Sequence, residues 1–140
     1  MRRGLPLVAA VLLLAAGPAA WGSFGQGATA TTTFSAGSLA APTGLTGAGQ
    51  CGLLSYEVRL SWTATTTPWA DGYEVSRATS SAGPYTVVPR PSGTSALATT
   101  RTVTGLSAAT TYWFRVTATR QAWRSAPAQV SATTPVLCLF

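Results

Sequence analysis

The stretch Gly105-Leu106-Ser107-Ala108-Ala109-Thr110-Thr111-Tyr112-Trp113-Phe114-Arg115-Val116 decides how this chain folds. From Thr111 to Arg120, Tyr112, Phe114, Val116 and Ala118 alternate with Trp113, Arg115 and Thr117. A period of two sends successive side chains to opposite faces, so this is a strand with one dry and one wet face. Gly105-Leu106 closes a preceding strand over Leu97 to Thr104, with Val103 inward. No window of the chain shows a 3.6-residue period.

Working outward, the same alternation recurs from Leu53 to Thr63. Tyr56, Val58, Leu60 and Trp62 fall on one face, and Glu57, Arg59 and Ser61 on the other. Thr65 to Gly72 reads as a loop, with Pro68 and Asp71-Gly72 as its turn residues. Tyr73 to Ala78 is the next strand, with Tyr73 and Val75 inward, and Ser80 to Pro84 a turn. Tyr85 to Val88 is a short strand ended by Pro89 and Pro91, which suit a sheet edge because a missing N–H costs little there. Gln121 to Ser125 reads as a loop, and Pro127 to Thr134 as the last strand, with Val130 and Ala132 inward. A first strand near Pro42 to Thr46 completes seven. Short strands punctuated by Gly, Pro and Ser predict an all-β sandwich.

The segment from Gly105 to Val116 resembles the signature of the fibronectin type III family. There a Leu, here Leu106, precedes a turn, and a Tyr six residues later, here Tyr112, starts the sixth strand. In such sandwiches the Tyr hydroxyl bonds back to backbone. Trp62 resembles the core Trp of the family's second strand, and Pro42-Thr43-Gly44-Leu45 the entry to its first. Gly72-Tyr73-Glu74-Val75 is similar to the third strand, and Gly83-Pro84-Tyr85 to a turn common in bacterial members. The resemblance runs from Pro42 to Thr134 and implies a seven-stranded immunoglobulin-like sandwich. It says less about role, because this fold hosts many.

Ahead of that region, Met1-Arg2-Arg3 and the apolar run Leu5 to Ala16, followed by small residues, form the pattern of a secretory signal peptide. The run is short of the roughly 20 residues that span a bilayer. The expected organisation is a signal peptide over 1–30, a flexible linker over 31–41, a fibronectin type III-like domain over 42–135 and a tail over 136–140. Cutting after Ala19 or Ala20 is the alternative. The expected location is therefore extracellular or on the cell envelope. Cys51 and Cys138, an even count in an exported chain, read as one disulfide; two free thiols or an intermolecular bridge are the competing readings. The resemblance puts Cys51 in the loop joining the first two strands, at the pole where the last strand ends, with Cys138 just past that strand. Typical family members lack such a bridge.

Composition narrows the chemistry. The chain has no His, and all nine of its basic residues are Arg. Loss of Arg2 and Arg3 with the leader would lower the net charge from +6 to +4. The other Arg residues are scattered singly, without the cluster that tracks a phosphate backbone, so nucleic acid is not an expected partner. Gly47-Ala48-Gly49-Gln50-Cys51-Gly52 matches G-x-G-x-x-G, but a dinucleotide site needs a helix after it and here a strand follows, so the string reads as a flexible loop. Glu57 and Glu74 point outward from different sheets, which argues against a glycosidase pair. Glu74 is expected to face Arg115 across the strands. A Ser or Cys nucleophile has no His or Lys to activate it. No catalytic residue, metal site or cofactor is expected.

The exposed aromatics are the lead. The resemblance brings the loops of Trp69 and Trp123 to one pole, with Arg120 and Arg124 flanking Trp123. Indole planes stack on sugar faces, and Arg supplies donors for hydroxyls or anions. Trp113, outward beside Arg115, is a second candidate. The competing reading has each Trp folded over the core as a cap. The role expected is a secreted or cell-surface, non-catalytic binding module for an extracellular glycan, an envelope polymer or a surface protein. Membrane contact is expected only through an uncleaved leader. The alternatives are an accessory protein in extracellular polysaccharide breakdown and a passive spacer or fibre subunit.

Overall fold

The computed structural model describes residues 37–139; the expected leader over 1–30 and the first part of the linker lie outside the described residues. Eight strands follow one another: β1 (Thr43–Cys51), β2 (Tyr56–Thr63), β3 (Gly72–Ala78), β4 (Thr86–Val88), β5 (Thr100–Leu106), β6 (Thr111–Arg120), β7 (Trp123–Arg124) and β8 (Ala128–Thr133). They make two antiparallel sheets, one in the order β1-β2-β5 and the other β4-β3-β6, with β7 and β8 both pairing with β6. The eighth strand is the two-residue β7, formed inside the segment read as a loop.

The alternating residues form the core between the sheets. Val58, Leu60 and Trp62 of β2 meet Phe114, Val116 and Ala118 of β6, with Tyr73 and Val75 of β3 and Val103 and Leu106 of β5. Burying such side chains contributes about 1.5–3 kcal/mol each. Trp62 meets Tyr73 edge-on, with ring centroids 5.5 Å apart. Its indole N–H finds no acceptor among the described residues. The Tyr112 hydroxyl accepts a hydrogen bond from the Ser107 N–H at 3.1 Å, which fastens the turn between β5 and β6 to the body of the sandwich.

Several boundaries differ from the sequence reading, each for a physical reason. β1 runs to Cys51, so the G-x-G-x-x-G string is strand from Gly47 to Cys51, and only Gly52 lies beyond it. Its glycines are needed because β1 passes close over β8. A Cβ at Gly47 would lie 3.2 Å from the Ala132 side chain, and one at Gly49 would collide with the Thr133 carbonyl. β5 begins later and ends later than expected, and Gly105 takes φ +66° where its pairing with β2 shifts register. Leu39 is buried in the core, and Thr65 and Thr67 hydrogen-bond to the Ala40 backbone. Packing therefore starts a few residues before Pro42. Glu74 faces Thr117, not Arg115, and its carboxylate pairs with Arg124 at 3.2 Å. The Arg115 guanidinium instead stacks 3.8 Å from the Tyr85 ring centre and donates to Gln129.

Cys51 and Cys138 are joined in a disulfide, with Cα atoms 5.6 Å apart. It holds the tail beside the β1–β2 turn, at the pole away from the β2–β3 loop. Leu53, Leu54, Val136, Leu137 and Leu139 are exposed at this end.

Candidate functional site

At the opposite pole, two loops bring together the side chains that sequence reasoning set apart. The β2–β3 loop carries Trp69; Arg120 ends β6, Gln121 lies in the tight turn that follows, and Trp123 begins β7. The two indoles meet edge to face, with ring centroids 6.1 Å apart. Trp69 is 38% exposed and Trp123 54%. Arg120 Nη1 donates to the Trp69 carbonyl at 3.1 Å. Gly37, Trp69, Arg120, Gln121 and Trp123 line an open pocket of about 390 Å³.

Asp71 fixes this geometry, a role that sequence reading missed by treating it only as a turn residue. One carboxylate oxygen accepts the Gln121 N–H at 2.9 Å and the other accepts the Thr119 hydroxyl at 3.1 Å. Gln121 takes φ +51°, a left-handed conformation that needs such support in a non-glycine residue. The Gln121 N–H bond is the main cause holding the Asp71 carboxyl below its ordinary 3.8, with Thr119 and the Arg120 charge acting in the same direction. Thus Asp71, at the foot of one loop, clamps the turn that carries the other indole.

The remaining expected residues lie elsewhere. Arg124 does not join the indole pocket. Its guanidinium turns to Glu74 and to the carbonyls of Gln121 and Trp123. Trp113 sits half-buried on the outer face of β6, between Ala78 and Ser131, away from the tip. Sequence reading also missed Arg101, which has the inward parity of Val103 in β5 and is 6% exposed. Parity was the available signal, but a charged residue at an inward position reads more easily as a register break than as a buried arginine.

Two stacked antiparallel sheets in this strand order, with the Tyr112 corner, define an immunoglobulin-like sandwich. The family model for the fibronectin type III domain matches residues 40–134, and the chain belongs to that family. Among solved structures, an Fn3-like protein from Clostridium thermocellum is 30% identical, covering 74% of this chain and 100% of that one, with a TM-score of 0.57. FN3tt is 24% identical, covering 71% of this chain and 99% of its own, with a TM-score of 0.55. The FN1–FN3 domains of chicken CNTN1 are 21% identical over 69% of this chain and 32% of theirs, with a TM-score of 0.56, a likeness of fold alone. No curated protein is similar in sequence to this chain. Domains of this family are typically non-catalytic interaction or spacer modules.

Proposed function

We propose that this protein is a secreted or cell-surface, non-catalytic recognition module that binds an extracellular glycan at the Trp69–Trp123 tip. The observation that carries this reading is the pair of exposed indoles in edge-to-face contact, held by Arg120 and by the turn that Asp71 clamps. A shelf that is already ordered loses little conformational freedom when a sugar ring stacks on it. The Arg120 guanidinium at its edge supplies donors for hydroxyls. The disulfide and the leader-like N-terminus support an exported chain, because such bonds persist in oxidising compartments.

The test is a screen of purified protein against glycans and cell-wall polymers, with Trp69→Ala and Trp123→Ala alongside. Each variant is expected to lose binding by roughly tenfold or more, as loss of about 1.5 kcal/mol or more of stacking implies, with thermal unfolding shifted only slightly. Absence of binding by the wild type would make the indoles structural and favour a spacer or assembly subunit.

A further inference from the structure

β4 pairs with β3 only from Val75 to Arg77, because Pro89 follows Val88 and has no N–H to continue the ladder. The edge of β3 beyond Val75 is left beside an open notch of about 250 Å³, lined by Tyr73, Pro89, Arg90, Arg101, Gln121 and Arg124 among others. Arginines far apart in sequence thus surround one small space. Arg101 is 6% exposed, and its Nε has no acceptor among the described residues. Its Nη1 reaches only the Pro89 carbonyl, at 3.5 Å. Burial, and then the neighbouring Arg90 charge, push its pKa down. An arginine stays charged even so, and a buried charge beside a like charge is costly until an anion meets it.

We propose that this notch is an oxyanion site and that it takes the carboxylate of an acidic glycan whose sugar ring lies on the indole shelf. The proposal rests on the tip reading above and names its ligand class. The link between the two sites is Gln121, which lines both the notch and the indole pocket. A guanidinium fork matches a carboxylate in two parallel hydrogen bonds. Glu74, bonded to Arg124 on the rim, keeps one negative charge there, which favours a monoanionic carboxylate over a dianionic phosphate. Arg90 and Arg101 thus make the notch basic, and Gln121 joins it to the aromatic tip.

The experiment titrates purified protein with an oligogalacturonate, with its methyl-esterified neutral form, and with inorganic phosphate. The acid form is expected to bind about tenfold tighter than the ester, since a charge-assisted hydrogen bond is worth roughly 1.5 kcal/mol or more. Arg90→Gln, at an exposed position, is expected to remove that preference and leave ester binding unchanged. Arg101→Met is expected to do the same while keeping the unfolding temperature, because a buried unpaired charge is replaced by an apolar chain. Equal binding of acid and ester by the wild type would overturn the oxyanion site and leave the tip reading standing. Acid-form binding lost in Arg90→Gln but unchanged in Trp69→Ala and Trp123→Ala would overturn the tip reading, and with it the placing of the sugar ring on the indoles, and leave only the oxyanion site standing. Phosphate that displaces the oligogalacturonate at equal affinity would overturn the glycan assignment.

Discussion

Asp71 shows how much one side chain decides at this surface. Its carboxylate holds the Gln121 N–H and the Thr119 hydroxyl, so protonation removes acceptors from both. Its pKa is lower in the fold than the ordinary 3.8. The contribution is therefore fully present above the ordinary value and is lost as pH falls through the lowered one. Near-ultraviolet circular dichroism from the coupled indoles is expected to stay constant from neutral pH down to about 4 and to fall only below it. Asp71→Asn is expected to weaken the indole signal already at neutral pH. Gly49 is the other decisive residue. Its Cβ would collide with the Thr133 carbonyl, which belongs to backbone and cannot swing aside. Gly49→Ala is expected to cost about 2 kcal/mol or more in denaturant unfolding; an unchanged midpoint would mean that β1 and β8 do not close as described.

At the scale of elements, the strands were legible where one face is dry and the other wet. β2, β3 and β6 follow their alternation closely, because each pairs on both sides and packs on the core. Legibility failed at the edges. β1 is rich in glycine and half-exposed, so its pattern carries no period, and its course is set by close approach to β8. β7 exists because Asp71 stabilises a left-handed Gln121, a contact 50 residues apart in sequence. Of the site, the pairing of Trp69 with Trp123 was legible through the family resemblance. The Arg90–Arg101–Arg124 grouping was not, since nothing local joins residues from three different parts of the fold. The Tyr112 corner gives this scale its test. Tyr112→Phe removes the acceptor of the Ser107 N–H and is expected to cost about 1–2 kcal/mol, with the β5–β6 turn losing amide-exchange protection first.

For the whole molecule, the disulfide closes a separation of 87 residues, almost the full length of the domain. In the chain-entropy picture that closure contributes about 4–5 kcal/mol. The double variant Cys51→Ser, Cys138→Ser is expected to unfold at much lower denaturant, while binding at the far pole by the protein that remains folded is unchanged. One end is thus stapled covalently, and the other is built by Asp71 and Arg120 into an ordered aromatic face. Nuclear magnetic resonance of the indole N–H groups reports on that second end. During titration with a bound glycan, the Trp69 and Trp123 signals are expected to move together and saturate, while that of buried Trp62 stays still. Saturable binding that moves Trp113 and leaves Trp69 and Trp123 unmoved would place the glycan site on the outer face of β6 and not at the tip.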